Sequence, residues 1–265
     1  MLAPVAIAAA YVGGWLFVGL CAVAAAVVLC EWTALVTGGT DPRILGPGLA
    51  ALATATALLG ENHAGAAIGA IVIGAIATAS IMAAWPQQYA AARSAAWGPA
   101  GVLYAGVVLL GPAILRADPK LGFAALLFLF AIVWVTDIFA YLSGRAVGGP
   151  LLWPQLSPKK TWAGAIGGLV GGVAAGTLVA YASAGTGPVV AGVLALVLSI
   201  VAQGGDLFES AVKRRFGAKD ASRLIPGHGG VMDRLDGFLV AALAAAVIGC
   251  MHQNLAAPAQ GLLVW

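Results

Sequence analysis

The chain has 265 residues, of which 13 are Lys or Arg and 10 are Asp or Glu, so charged residues make up 9% where an ordinary soluble domain carries about a quarter. Hydrophobic residues reach 62% and the mean hydropathy is +0.99. A compact particle this poor in polar surface cannot be solvated by water, which excludes a soluble globule, a disordered tail and a nucleic-acid binder and makes a bilayer the expected solvent.

A spanning helix needs about 20 mostly apolar residues. Breaks at Gly, Pro and charged clusters divide the chain into about nine candidates, near 2–13, 15–36, 44–60, 65–84, 98–115, 121–143, 162–183, 188–205 and 237–255. The expected fold class is all-α, a polytopic integral membrane helix bundle with a polar site facing the cytoplasm. Residues 1–120 read as N-terminal transmembrane helices and 121–265 as the region that carries the chemistry, within a single membrane domain. The opening MLAPVAIAAAYV lacks a basic flank and runs into further apolar sequence, so no separate signal peptide is expected. Most of the eight Trp residues fall near predicted span ends, as an interfacial belt would require. Cys21, Cys30 and Cys250 lie in apolar stretches without CxxC spacing and read as small structural hydrophobes.

Eleven of the 13 basic residues follow even-numbered spans: Arg43, Arg93, Arg145, Lys159, Lys160, Lys213, Arg214, Arg215, Lys219, Arg223 and Arg234. The positive-inside rule then makes those loops cytoplasmic, and nine spans put the N-terminus in the cytoplasm and the C-terminus outside. A multi-pass protein of the cell's inner (plasma) membrane is expected.

Span six, FLFAIVWVTDIFAYLSGR, carries Asp137, Tyr141 and Gly144 along one face, with Arg145 at its cytoplasmic end. An ionisable residue inside a span costs free energy and marks a functional site by default, with an Asp137–Arg145 structural pair as the competing reading. The following loop reaches Ser157, Pro158, Lys159, Lys160, Thr161 and Trp162, whose lysines and hydroxyls suit phosphate. Span seven has Gly164, Gly168, Gly172 and Gly176 at intervals of four, a ridge that fits either close packing within the chain or a homodimer interface.

Charge then concentrates: 11 of the 23 charged residues fall between Gln203 and Gly237. Asp206, Glu209 or Ser210, and Lys213 recur at three- and four-residue spacing, so a helix continuing from span eight would place them on one face. Asp233 and Asp236 likewise share a face as span nine begins, although Asp233 alone would also suit a helix N-terminus. Two helix ends bearing carboxylates would make an oxygen-rich pocket of the kind Mg²⁺ prefers. Between them, Ile225-Pro226-Gly227-His228-Gly229-Gly230 breaks the helix, and its glycines let backbone amides cradle an anion. With Lys213, Arg214, Lys219 and Arg223 nearby, the expected anion is a phosphate chain, with His228 as a donor to it. Glu31, Glu61, His63, Asp118 and His252 lack clustered partners in the sequence and read as interfacial or loop residues.

The stretch Ser210 to Asp236, SAVKRRFGAKDASRLIPGHGGVMDRLD, resembles the signature of the phosphatidate cytidylyltransferase (CDP-diacylglycerol synthase) family, every specified position being filled over 27 residues. Asp137 to Arg145 as D-x2-A-Y-x2-G-R, Ser157 to Thr161 as S-P-x-K-T, and Gly205-Asp206-Leu207 with Glu209-Ser210 are similar to further elements of that family. The resemblance covers about 121–250 closely, and Ala163 departs from it where Glu or Gln is common. It implies that CTP and phosphatidate give CDP-diacylglycerol and pyrophosphate with Mg²⁺, alone or together with a second cation. Asp206 and Asp233 are then the leading metal ligands with Asp236 assisting, and Lys213 and Asp137 join them in the catalytic group. Ser210, Arg214, Lys219, Asp220, Arg223, His228, Gly229, Gly230, Arg234, Ser157, Lys160, Thr161, Tyr141 and Arg145 are expected to bind substrate. A transporter using Asp137, Asp206 and Asp236, and a CTP-dependent lipid kinase, are the competing readings; the clustering at one face and the lack of an internal repeat argue against the first.

Overall fold

The structure is a computed structural model that describes residues 2–84, 96–222, 224 and 229–265. The described helices are α1 (Leu2–Val12), α2 (Gly14–Thr37), α3 (Pro42–Gly60), α4 (Ala64–Ala84), α5 (Trp97–Ala117), α6 (Gly122–Val147), α7 (Trp162–Ala184), α8 (Pro188–Arg215), α9 (Met232–His252) and α10 (Pro258–Leu263). Strands β1 (Leu151–Trp153) and β2 (Ser157–Thr161) lie between α6 and α7.

Eight of these helices, α2 to α9, are long and apolar enough to cross a membrane, not nine. The difference is α1: its 11 residues rise only about 16 Å at 1.5 Å each, roughly half the hydrocarbon thickness. Its last carbonyls are not left bare, because the Arg116 guanidinium donates to Ala10 O (2.5 Å) and Tyr11 O (3.0 Å). Arg116, one of the two basic residues outside the even-numbered loops, is thus occupied as a cap on a helix C-terminus.

A second departure is the hairpin. The segment read as a loop after span six contains two antiparallel strands, with Leu151 opposite Thr161 and Trp153 opposite Ser157. It ends in a cap: Thr161 Oγ1 accepts from Gly164 N at 3.1 Å and starts α7 immediately after β2. The polar residues Ser157 to Thr161 are therefore held by strand pairing on one side and a helix start on the other.

The chain forms two compact units, Met1–Tyr11 with Leu115–Arg214 and Asp236–Trp265, and Val12–Ile114 with Arg215–Leu235. Residues 2–11 group with the later helices and 215–235 with the earlier ones. In the first unit the glycine ridge of α7 is spent against α6. A Cβ on Gly164 would lie 2.8 Å from Ala140 O, one on Gly168 2.9 Å from Thr136 O, and one on Gly176 2.7 Å from Ile132 Cγ1. Close packing within the chain therefore accounts for the ridge. The buried Thr136 and Ser199 hydroxyls, hydrogen-bonded at 2.7 Å, join α6 to α8.

In the second unit Trp32 of α2 packs on Tyr104 at 5.0 Å between ring centroids and donates its indole N–H to Trp97 O at 2.8 Å. Asp41 caps α3 by accepting from Arg43 N, and the Arg43 guanidinium hydrogen-bonded to it holds its carboxyl below the usual carboxylate range.

Candidate active site

Two helices of the first unit meet through glycine beside acid. A Cβ on Gly205 would lie 2.9 Å from Asp236 O, and one on Gly237 would lie 2.9 Å from Ala202 O. Neither position tolerates a side chain, so α8 and α9 touch backbone to backbone, and the neighbours Asp206 and Asp236 are carried in with them. Asp236 fixes its own carboxylate by accepting from Gly237 N at 2.7 Å.

Beside this contact opens a cavity of about 610 Å³ bounded by α6, the hairpin, the start of α7 and α8. Seven expected site residues line it: Asp137, Tyr141, Arg145, Ser157, Lys160, Thr161 and Asp206. Lys160, on β2, pairs with Asp206 on α8, and the charges of Asp236, Asp206 and Lys160 all act on Asp137. Asp137 is not a buried acid as expected from its place in a span; it is exposed on the cavity wall. Arg145 donates to the Tyr141 hydroxyl at 2.9 Å, which orients both side chains at the cavity edge. The result is a cavity that brings anionic and cationic side chains together in a helical region built to be apolar.

Two residues of this region escaped the sequence reading as site members. Gln203, one turn before Asp206, lines the cavity and donates to Ala165 O at 3.4 Å. Glu209 is fully buried, with Lys213 Nζ 3.0 Å from its Oε1 and the charge of Asp236 acting on it. The i, i+4 spacing of Glu209 and Lys213 was the signal for that pair. Ser210 is half-buried and Arg214 exposed at the C-terminal end of α8.

The rest of the signature belongs to the second unit. Lys219, Asp220 and Arg234 are exposed, while Gly230 is buried. Asp233 turns back on its own segment: Oδ2 accepts from Ala221 N at 2.9 Å and from Gly230 N at 2.7 Å. Gly229 is at φ +81, and a Cβ there would meet Asp233 Oδ2 at 2.7 Å. Glu31, read as an interfacial residue, is buried and accepts from Ser222 Oγ, Val231 N and Met232 N. Nothing in the local sequence around Glu31 betrays partners about 200 positions away. Arg223 and His228 lie outside the described residues.

Among the described residues, no three His, Cys, Asp or Glu side chains converge closely enough to hold a metal ion between them. The donor chemistry nevertheless suits a hard divalent cation. The carboxylates of Asp137 and Asp206 border the cavity, and Mg²⁺ commonly takes only one or two such groups and completes its shell with water and substrate phosphate.

Comparison with known proteins bears on this arrangement. A family model described as the cytidylyltransferase family matches residues 1–251. A Brucella abortus protein named phosphatidate cytidylyltransferase is 56% identical over 155 residues, covering 58% of this chain and 57% of that one. Proteins of the same name from Haemophilus influenzae and Staphylococcus haemolyticus are 41% identical over 145 residues and 39% over 139, covering 52% of this chain and 49% and 52% of theirs. The chain thus spans about half the length of the relatives it matches. With a family match over most of its length, the chain belongs to the cytidylyltransferase family.

Proposed function

We propose that this protein is a phosphatidate cytidylyltransferase, transferring a cytidylyl group from CTP to phosphatidate to give CDP-diacylglycerol and pyrophosphate. The observation that carries the reading is the chamber itself: Asp137 and Asp206, in electrostatic range of Asp236, face Lys160, Ser157 and Thr161 across one cavity among membrane-length helices. Two anionic substrates repel, and fixed cations with oriented hydroxyls offset that repulsion. Lys160, Lys213 and Arg145 are the cationic groups assigned to phosphate oxygens. Asp206 and Asp236 are the carboxylates assigned to a divalent cation, which when bound would neutralise phosphate charge. No nucleophilic side chain is needed, because the lipid phosphate is already an anion and positioning suffices.

The acyl chains account for the membrane setting: they can remain in a leaflet while the headgroup enters the chamber. We assign the basic loops after α2, α4, α6 and α8 to the cytoplasm of the inner membrane by the positive-inside rule. With the eight spans found among the described residues, both chain ends then lie outside. The test is to incubate purified protein with CTP, phosphatidate and Mg²⁺ and measure pyrophosphate and CDP-diacylglycerol. Release of both in equal amounts supports the assignment; no product at any lipid or metal concentration refutes it.

A further inference from the structure

We infer that the β1–β2 hairpin is the lip over which a phospholipid enters the cavity: Leu151, Trp153 and Trp162 lie in the headgroup–acyl boundary of one leaflet, and Lys159 meets the lipid phosphate there. Leu151, Trp153 and Trp162 are 41%, 51% and 53% exposed, whereas Leu152, between the first two, lines the cavity. Lys159 and Lys160 line it as well. Lys160 is taken up by Asp206, but Lys159 is exposed and has no ion-pair partner among the described residues. The hairpin thus carries large apolar side chains on its surface and an uncompensated cation at the cavity.

Its place in the fold says what covers those side chains. The hairpin joins α6 to α7, both of membrane length, and the two helix ends touch: a Cβ on Gly144 would lie 3.5 Å from Gly164 Cα. The chain therefore leaves and re-enters the bundle at one point of the membrane surface. Gly148 and Gly149 turn it there at φ 66 and 92, and a Cβ on either would meet no atom within 4 Å, so glycine serves the turn and not the space. Trp162 N donates to Pro150 O at 3.1 Å and closes the base, while Leu156 N donates to Trp153 O at 3.2 Å at the turn. The two tryptophans consequently mark opposite ends of the hairpin. Standing up into water it would need an interfacial ring at its base alone; exposed rings at base and turn mean that it lies along the surface. Trp162 also heads a stripe, since Ile166 and Val170 follow on the same face of α7 and are exposed too. Such a stripe on a membrane-length helix faces acyl chains, which puts Trp162 at the level of the headgroups.

The lipid contact stands on this geometry; that the entering lipid is the substrate rests on the proposed function. To test the contact, the full chain is labelled with fluorotryptophan in phospholipid nanodiscs, and Trp153→Phe and Trp162→Phe assign the two fluorine signals. A lipid nitroxide near the headgroup should broaden both signals, and a water-soluble gadolinium chelate should broaden them much less. The reverse order overturns the proposal. Turnover is then followed in detergent micelles with the phosphatidate mole fraction and CTP varied separately. Lys159→Glu reverses the charge offered to the lipid phosphate and should raise the half-saturating phosphatidate fraction on the order of tenfold, with KM for CTP within about twofold of wild type. Lys159→Arg keeps the charge and should stay close to wild type. A raised KM for CTP with unchanged phosphatidate dependence would put Lys159 on the nucleotide and overturn the proposal. If the wild type makes no pyrophosphate, the functional reading fails and the broadening alone decides the lip: signals reached by the chelate and not by the nitroxide refute it.

Discussion

Removing Lys160 separates a site residue from a scaffold residue. The Lys160 and Asp206 side chains are 30% and 32% exposed, so water screens their ion pair, and its loss should cost at most about 1 kcal/mol of stability. For a chain of this size that is an unfolding shift of about 2–4 °C. If Lys160 instead meets substrate phosphate, Lys160→Ala forfeits a charge-assisted hydrogen bond of about 1.5–3 kcal/mol, or roughly a 10- to 150-fold loss in kcat/KM. The assay is CTP-dependent pyrophosphate release by detergent-solubilised protein, normalised to folded protein and run beside a thermal melt. Lys160→Arg keeps the charge and should retain part of the activity, whereas exchanging the pair, Lys160→Asp with Asp206→Lys, should restore the melt and not the turnover. A large thermal loss with unchanged kcat/KM per folded molecule would refute the reasoning and leave Lys160 as a counter-ion only.

Three further outcomes are expected. Gly205→Ala should force α8 and α9 apart, because the new methyl would lie 2.9 Å from Asp236 O and from Val240 Cγ2; about 1–3 kcal/mol of overpacking and a fall in turnover are expected, measured by melt and pyrophosphate assay. Asp118 is buried, which alone would raise its pKa, but hydrogen bonds from the backbone N–H groups of Gln260, Leu121 and Lys120 hold it below the usual range. Its stabilisation is therefore present above the ordinary carboxylate pKa of about 3.9 and is lost as pH falls below it. The melting difference between wild type and Asp118→Asn should be clear at pH 6 and shrink as pH drops below about 4; a gap independent of pH would reject the assignment. Reporter fusions at the two chain ends should both report the extracytoplasmic side, and opposite sides would restore a ninth crossing.

Most of the fold was legible because bilayer length and apolar runs set helix positions directly. Runs near 15–36 and 65–84 became α2 and α4 within a residue or two. The misses have separate physical causes. Residues 2–12 are as apolar as any span, but only 11 of them precede the break at Gly13, where φ is 70. Residues 151–161 lack the alternation of a buried strand because neither strand has a buried residue, so nothing in their periodicity separates a hairpin from a loop.

The site divides along the same line. Asp137, Tyr141, Arg145 and Asp206, which line the cavity, stand out in the sequence because polar residues in an apolar chain are rare enough to be informative singly. Glu31 was missed for the converse reason: its partners are two backbone amides and a hydroxyl, and backbone amides carry no signature in sequence. The 27-residue signature, read as one pocket-forming run, is in fact divided between two kinds of support. Asp206 and Asp236 are brought in by glycines that let helix backbones touch, whereas Asp233 and Glu31 are fixed by the N–H groups of the segment they hold. The glycines of the two parts consequently have different jobs. At 205 and 237 an added methyl changes the distance between helices; at 229 and 230 it collides with a carboxylate, so only there does trimming the acid relieve the clash.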